Sequence, residues 1–424
     1  MRSAESSWNN TDTSRLRENR TEDMDYIKYI TDGIESICKN HKRRSAGCES
    51  VKTAQAEMSE AMKDCVDEMR TQQFEVHPHA FIGSIPLDAF LSLVACVFFV
   101  SGVYSGRLWC YMLSIALTVF AMIIIVMEYI LYRPFTDRFY PKKTGQNLYM
   151  VRKAKNTPKR RIILCGHSDA AWEMPILKHF PTVLIYICIG ATLLYWAVNF
   201  VFCNMALADF LSPGTLHVFA VIEIVNALLF APMLFFVDWR TVVDGANDNL
   251  TGCYLGMSII KEMADNDMRY DDTEVCCLIT DGEECGLRGA LAFAYENVEE
   301  LLSLNTVVIA PDTIHSVEEL RIFSRGINYT ESNSEEVCNL LYFAAIKNGL
   351  DLPSAEFYPG ANDSEAFSAI GVKSAAICGV AFTPQDYYHT VKDTYTNLNP
   401  ECIELIRNVL KDAIDMFARA GRAF

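Results

Sequence analysis

Three short polar stretches, far apart in the sequence, carry side chains that together could bind two metal ions. They are Gly166-His167-Ser168-Asp169, Gly245-Ala246-Asn247-Asp248-Asn249 and Asp281-Gly282-Glu283-Glu284-Cys285-Gly286-Leu287. Asp312 and the pair Tyr388-His389 follow downstream. Imidazole and carboxylate groups are the usual nitrogen and oxygen ligands of zinc, and one carboxylate can bridge two ions. The stretches therefore predict a hydrolytic site with two Zn²⁺ ions, for which Co²⁺ or Mn²⁺ are the alternatives.

The first stretch places His167 and Asp169 two residues apart at the end of a predicted strand. Side chains two apart in an extended chain point the same way. Asp169 could therefore accept a hydrogen bond from the imidazole of His167 and fix its tautomer. Taken alone, the pair is also compatible with a strand-end histidine that a neighbour merely satisfies.

Asp248 precedes a predicted amphipathic helix over 248–264, and two interpretations of it stay open. Aspartate is a good helix N-cap, and it is also a carboxylate that can bridge metal ions. The neighbouring Gly245 and Ala246 favour the bridging role, because small residues let the backbone approach an ion closely.

The adjacent carboxylates of Glu283 and Glu284 follow a predicted strand. Two neighbouring carboxylates repel each other unless a cation lies close by. A solvated acidic loop at a helix N-terminus is the alternative, since negative charge is favourable there. In a metal site, Glu284 would bind the ion and Glu283 would be free to take a proton from water. Asp312 and His389, each considered alone, are more often structural than catalytic.

Hydrophobic residues make up 51% of the 424 residues, which is high for a soluble protein. Each of four apolar runs is roughly 20 residues or longer, enough for a helix to cross the hydrocarbon core of a bilayer. The runs are 85–104, 108–132, 181–202 and 216–237. They come in pairs with short connections, which predicts two transmembrane hairpins over 85–132 and 181–238, with the lipid bilayer as a partner.

Basic residues near the ends of these runs predict the orientation. One basic residue, Arg107, lies in the two hairpin loops, and the others lie on the side of the remaining protein. By the positive-inside rule, the main domain and both termini are expected in the cytoplasm. The flanking basic residues are Arg133, Arg138, Lys142, Lys143, Lys178 and Arg240.

Charge and cysteine usage exclude other classes. The net charge of −16 makes nucleic acid an improbable partner. The 15 cysteines are odd in number and form no CxxC pair, as expected in a reduced compartment. Residues 1–22 are polar and charged without an apolar stretch, so that we expect a disordered tail rather than a signal peptide.

The remaining sequence predicts one α/β domain that two hairpins interrupt. Helices are expected over 23–40 and 51–70, a β-like segment over 73–81, and strands over 146–151 and 161–165. From 244 onward helix and strand alternate, which predicts a mixed, mostly parallel sheet with helices on both faces. Ligands gather at the carboxyl ends of such strands. The domain would comprise 23–84, 133–180 and 239–424.

The whole set of motifs resembles the co-catalytic zinc aminopeptidases, family twenty-eight of the metallopeptidases. That family has His-x-Asp, Gly-Ala-x-Asp, Glu-Glu-x-Gly-Leu, Asp and Tyr-His in this order, and the chain has all five. The matches Gly-Ala-Asn-Asp-Asn-Leu-Thr-Gly and Glu-Glu-Cys-Gly-Leu-Arg-Gly are specific, whereas the isolated Asp and His are not. The resemblance covers the chain outside the hairpins and implies a zinc exopeptidase-like fold.

The resemblance implies a role for each ligand. His167 and Asp312 would bind one zinc ion, Glu284 and His389 would bind the other, and Asp248 would bridge the two. Two Zn²⁺ ions with three carboxylates leave a net charge of about +1, which lowers the pKa of a water between them towards ~7 and favours a bridging hydroxide.

The resemblance also implies roles for residues that do not bind metal. Glu283 would be the general base, Asp169 would orient His167, and Tyr388 is a candidate for polarising the substrate carbonyl. The chain would then be a membrane-embedded exopeptidase, an aminopeptidase acting on peptides. One departure is the second hairpin, which separates Asp169 from Asp248, where soluble members have a short loop. The substrate cleft is therefore expected close to the bilayer.

Three alternatives stay open at this stage. The first is a membrane scaffold that keeps the fold without catalysis. The second is a carboxypeptidase, for which Arg288 or Arg325 would hold the terminal carboxylate. The third is glutaminyl cyclisation on a related fold with one zinc ion. Metal content distinguishes the first and third from a two-zinc peptidase.

Overall fold

The computed structural model describes residues 9–180, 183–326, 332–356, 360–380 and 387–420. Within them, the strands are β1 Glu68–Val76, β2 Lys143–Arg152, β3 Arg160–His167, β4 Trp172–Glu173, β5 Asp238–Val242, β6 Thr273–Thr280, β7 Asn305–Ile314, β8 Arg321–Arg325, β9 Ser354–Glu356 and β10 Lys373–Gly379. The α-helices of the same residues are α1 Asn9–Asn40, α2 Glu49–Met62, α3 Ala80–Ser105, α4 Leu108–Ile125, α5 Pro175–His179, α6 Val183–Leu207, α7 Pro213–Phe230, α8 Thr251–Asp265, α9 Arg288–Glu296, α10 Val298–Ser303, α11 Glu335–Lys347, α12 Ser364–Ser368 and α13 Pro400–Arg419.

Eight strands form one mixed sheet in the order β1-β2-β6-β3-β7-β10-β8-β9. The central strands β6, β3, β7 and β10 run parallel to one another. β1 and β2 are antiparallel additions at one edge, and β8 runs antiparallel to β10 near the other. The predicted mixed, mostly parallel sheet is therefore confirmed. Its central strands bring their carboxyl ends to one edge, where the polar motifs lie.

Helices cover both faces of the sheet, as the alternation of strand and helix predicted. Strand β3 shows the division, because Ile162 and Leu164 point into one core and Ile163 and Cys165 into the other. The first core is closed by α1, α2, α8, α11 and α13, and the second by α9, α10 and α12. Both faces of β3 are buried, which explains its continuous apolar run.

Among the described residues, four helices are long and apolar enough to cross a membrane, as the hydrophobic runs predicted. They are Ala80–Ser105, Leu108–Ile130, Val183–Leu207 and Pro213–Phe235, with mean hydropathies of 1.9 to 2.5. Their outer faces expose large apolar side chains, as helices that face lipid do. The two hairpins pack on each other through two apolar clusters. Short β4 and β5 pair where the second hairpin leaves the domain and returns to it.

Two N-terminal boundaries differ from the prediction. Helix α1 begins at Asn9, inside the segment 1–22 expected to be disordered, while 1–8 lie outside the described residues. Leu16, Arg17 and Glu18 all favour helix, and charges of both signs alternate there. The first membrane helix begins at Ala80 rather than at 85, because the apolar segment before it continues the helix.

The second predicted helix also ends earlier than expected. Helix α2 stops at Met62, and Glu68 already pairs with Val151 in strand β1. The helical pattern over 51–70 was overridden by sheet pairing, since strand formation depends more on neighbours than on local propensity.

Candidate metal centre

The sequence-predicted site residues come together at the carboxyl edge of the sheet. His167 is the last residue of β3, and Glu283–Glu284 lie in the loop after β6. Asp312 lies near the end of β7, Asp248 in the turn before α8, and His389 in the loop after β10. Four separate strands and one helix start thus supply the side chains, which is the usual location for a site in a parallel sheet.

Among the described residues the donor atoms form three overlapping groups, of which two share Asp248 and the third joins His167 to Glu283 and Glu284. In the first, Nε2 of His167 lies 3.1 Å from Oδ1 of Asp248 and 4.0 Å from Oδ1 of Asp312. In the second, Nε2 of His389 lies 3.0 Å from Oδ2 of Asp248 and 3.4 Å from Oε2 of Glu284. Within each group the ligand atoms lie within 4.8 Å of one another. The two oxygens of Asp248 therefore face different histidines.

The chemistry of these atoms fits a bound cation. Nε2 of His167, Oδ2 of Asp248 and Oε1 of Glu284 are buried and make no hydrogen bond within the described part of the chain. Buried polar atoms are nearly always satisfied, so that three such atoms at one point need another partner. Nitrogen and carboxylate oxygen are donors that zinc accepts.

Electrostatics support the same conclusion. Burial raises the pKa of Glu283 well above its usual range, and nearby Asp312 and Asp248 raise it further, although His167 opposes them. Burial raises the pKa of Asp312 to about 7. Burial would also raise the pKa of Asp248, but the close imidazoles of His167 and His389 hold it below its usual range. A cation among these carboxylates would relieve their repulsion.

Asp169 joins His167 to the paired glutamates. The backbone oxygen of Asp169 lies 3.1 Å from Nδ1 of His167, whereas its carboxylate lies 3.6 Å away. That carboxylate accepts hydrogen bonds of 3.3 Å from the backbone N–H groups of Glu283 and Glu284. We expected the carboxylate of Asp169 to orient the imidazole of His167, but the closer contact is with the backbone carbonyl of Asp169. The reason is that strand β3 ends at His167 and the chain turns there.

The turn that carries Asp248 is held from a distant loop. Asp248 has φ −111° and ψ 92°, so it lies outside helix α8, which begins at Thr251. Leu250 occupies the N-cap position of α8, which removes the N-cap interpretation of Asp248. The carboxylate of Asp393 accepts hydrogen bonds from the backbone N–H groups of Asn247 and Asp248, at 2.8 and 3.1 Å.

Sequence reasoning missed two residues that build the site. One is Asp393, whose only signal is its position four residues after His389. The other is Arg44, which is 1% exposed and donates hydrogen bonds to the carbonyl oxygens of Ser168 and Asp244 at 2.9 and 2.5 Å. Arg44 ends the basic run 42–44, which as sequence looks like a solvated surface.

We expect Asp393→Asn to weaken metal binding without unfolding the protein. Asparagine keeps the shape but loses the charge and one acceptor for the turn that presents Asp248. Such supporting contacts typically change metal affinity ~10–100-fold. Competition with a chromophoric zinc chelator measures the effect, and Asp271→Asn, at an exposed surface acid, is the matched control. Equal affinity in the two variants would show that Asp393 does not hold the turn.

Tyr388 lines a cavity that opens from the metal centre. Its half-buried ring stacks on that of His389, with centroids 3.9 Å apart. The cavity has a volume of about 560 Å³, and Glu283, Glu284 and His389 form part of its wall. The remainder of the wall comes largely from the membrane helices, as the position of the second hairpin predicted.

Neither arginine considered for a carboxypeptidase reaches this cavity. Arg288 is buried beneath the loop and donates hydrogen bonds to Glu128 and Asp137, at 3.2 and 3.3 Å. In the antiparallel pair β8·β10, Arg321 lies opposite Cys378, near the carboxyl end of β10, so that Arg325 lies towards the other end of the sheet. Their placement disfavours recognition of a terminal carboxylate.

The fold and the donor groups define a candidate metal centre at the carboxyl edge of a mixed sheet. Residues 235–414 match the model of Peptidase family M28. This match covers the part of the chain that contains Asp248, Glu283, Glu284, Asp312 and His389, and it confirms the resemblance seen in the motifs. A search of curated protein sequences finds no match.

Solved structures share the fold over nearly the whole chain. The aminopeptidase from Aneurinibacillus sp. strain AM-1 aligns with a TM-score of 0.53 at 13% identity, covering 92% of this chain and 93% of that one. BSAP, a zinc aminopeptidase from Bacillus subtilis, aligns with a TM-score of 0.52 at 12% identity, covering 92% of this chain and 94% of that one. The glutaminyl cyclase from Fimbriiglobus ruber aligns with a TM-score of 0.54 at 13% identity, covering 92% of this chain and 95% of that one. At identities of 12–13%, this similarity shows a shared fold.

Proposed function

We propose that this chain is a membrane-embedded di-zinc aminopeptidase that hydrolyses the N-terminal residues of peptides. The observation that carries the proposal is the pair of three-residue donor groups that share Asp248, with Glu283 beside them. In this assignment, His167 and Asp312 hold one ion, Glu284 and His389 hold the other, and Asp248 bridges them. Bound at these positions, the two zinc ions would polarise the scissile carbonyl and lower the pKa of water.

The chain's own residues would move the proton and hold the substrate. Glu283 lies 3.7 Å from Nε2 of His167 and borders the cavity, so its carboxylate can take a proton from the attacking water. Its burial favours the protonated form after that step, from which it can donate to the departing amine. Tyr388, which lines the cavity, would donate its hydroxyl to the substrate carbonyl oxygen.

The charge of the cavity favours a free amino terminus over a terminal carboxylate. Among the described residues that line it, the charged groups are acids and His389, and Lys and Arg do not occur. The neighbouring segments 357–359 and 381–386 also contain no Lys or Arg in their sequence. An α-ammonium group would be attracted to this acidic rim, whereas a carboxylate would be repelled.

We expect a dipeptide series to show this polarity. Free and C-amidated dipeptides should be hydrolysed, and N-acetylated ones should not, because acetylation removes the ammonium charge. Metal analysis of the same preparation should give two zinc ions per chain. Cleavage that tolerates acetylation and fails on amidation would contradict the aminopeptidase assignment. One zinc ion with cyclisation of glutaminyl peptides would identify a glutaminyl cyclase, and the absence of bound zinc would identify a scaffold.

The proposed orientation places the peptidase domain and both termini in the cytoplasm. In a Cys48→Ser background the other native cysteines are buried, so an added cysteine reports its own position. Ser212, at the exposed start of α7, and Ser303, at the exposed end of α10, are the two test positions. On intact cells, a membrane-impermeant maleimide should label Ser212→Cys and leave Ser303→Cys unlabelled. The reverse pattern would invert the topology.

A further inference from the structure

The cavity at the metal centre continues deep between the membrane helices. At one end it is bordered by Glu283, Glu284 and His389, and at the other by Ile189 and Trp196 of helix α6. Its volume of about 560 Å³ lies within the range of roughly 300–1,000 Å³ that is usual for ligand pockets. Most of the wall is aliphatic or aromatic and comes from α3, α6 and the end of the first hairpin.

Polar side chains are sparse in the deep part of this wall. Thr192 donates its hydroxyl to the carbonyl of Cys188 in its own helix and is therefore satisfied. Asp88 of helix α3 is buried, and its Oδ1 has no hydrogen-bond partner within the described part of the chain. The hydroxyl of Tyr129, at the end of the first hairpin, is a second buried atom of the wall without a partner among the described residues. The rest of the deep part is largely apolar and suits a chain of methylene groups.

The cavity also has an opening towards the surface that the membrane helices expose. Three of its wall residues are exposed, Ile130 after α4 and Tyr186 and Leu193 on α6. Further along the same two helices, Ser114 donates a hydrogen bond to Asn199 and holds them together. The opening therefore lies between the domain-side parts of α4 and α6, where the surrounding medium would be lipid.

We propose that the substrate is an amphiphilic amide whose acyl part carries a long hydrocarbon chain, which occupies the cavity between the membrane helices. The chain enters sideways from the bilayer, between α4 and α6, and brings the amide to the metal centre. Hydrolysis breaks the C–N bond, adds the hydroxyl of water to the acyl carbon and transfers the remaining proton to the departing amine. This inference rests on the proposed function and specifies its substrate class.

The size of the side chain on the acyl part tests the proposal. The probes are the 4-nitroanilides of alanine, norleucine, 2-aminooctanoic acid and 2-aminododecanoic acid, assayed with the full chain in detergent. Each added methylene should raise kcat/KM about fourfold, because burying one CH₂ contributes about 0.8 kcal/mol and about 1.4 kcal/mol is a factor of ten. A flat series, with alanine as good as the longest probe, would overturn the inference.

Two tryptophan substitutions on one helix locate the effect. Ile189 lines the cavity, whereas Ile187 is exposed on the outer face of α6. We expect Ile189→Trp to lower the ratio of kcat/KM between the longest probe and the alanine probe roughly tenfold or more, since the added ring fills space the chain needs. Ile187→Trp should leave that ratio as it is in the unchanged protein. Equal ratios in both variants would count against this location.

A binding measurement separates this inference from the proposed function. A 2-aminododecanoic amide with bromine at the chain end should quench Trp196 fluorescence, and Trp196→Phe should lose that part of the quenching. Hydrolysis of alanine and long probes alike, without this quenching, would leave the aminopeptidase and remove the hydrocarbon-chain substrate. Quenching without hydrolysis of any probe would remove the peptidase function and keep the chain in the cavity. Loss of both readouts would overturn both.

Discussion

Glu283→Gln is expected to retain both metal ions and to lose turnover by about 10²-fold or more. Glutamine has the same shape as glutamate, but its amide cannot accept the proton of the attacking water. Glu283 belongs to neither of the two groups that share Asp248, although its carboxylate also lies near His167 and Glu284. Because the proposed assignment gives it no ion to bind, metal binding should survive. The measurements are kcat on a cleavable dipeptide and zinc content of the same sample. Full activity in this variant, or loss of zinc, would contradict the assignment of Glu283 as the base.

The neighbouring residue provides the matched control. Glu284→Gln makes the same chemical change one position later, where the side chain lies 3.4 Å from His389. We expect it to lose zinc as well as activity, because a ligand carboxylate becomes a neutral amide. Two adjacent substitutions with different metal contents would separate the base from the ligand. If both variants lose the same amount of zinc, the two glutamates share one role.

Arg288→Met is expected to destabilise the protein by ~3–5 kcal/mol, the usual cost of leaving a buried charge without its partner. Arg288 is 8% exposed, and its partner Glu128 on the first hairpin is fully buried. The same guanidinium donates to the carbonyl of Gly286, in the loop of the paired glutamates. Removing it should therefore loosen that loop as well as the joint with the membrane helices. Urea unfolding in detergent measures the change in the free energy of unfolding.

Two comparisons make this second prediction specific. The double variant Glu128→Gln and Arg288→Met removes both charges, so we expect it to recover part of the lost stability. Arg240→Met deletes an exposed arginine that pairs with Asp238 at the surface, and its effect should stay within ~0.5 kcal/mol. If Arg288→Met is as mild as Arg240→Met, the buried pair does not hold the hairpin to the domain.

The parts of the molecule that were predictable from sequence share a physical cause. The mixed sheet, the four apolar helices and the gathering of His167, Asp248 and Glu284 all follow from period, hydropathy and motifs at strand ends. Each of these signals is local, and each repeats over several residues. The assigned roles of the site residues remain predictions that the variants above test.

The parts that escaped prediction depend on long-range contacts. Arg44 and Asp393 support the site through hydrogen bonds to backbone atoms more than 100 residues away, and such contacts leave no spacing in the sequence. Residues 68–70, predicted as helix, lie in strand β1 because a partner strand is available. Arg288, considered as a substrate-binding residue, is instead a buried link to Glu128. A single sequence contains no record of which of these partners meet.

The order of the strands in the sheet determines when the sheet can form during synthesis of the chain. Strand β3, with His167 at its end, leaves the ribosome before the second hairpin, yet its neighbours in the sheet are β6 and β7, which come after it. The central sheet therefore cannot close until both hairpins have been made. His389 is made later still, after the last central strand. If the hairpins insert into a bilayer as they are made, the proposed metal site would be assembled only after both insertions.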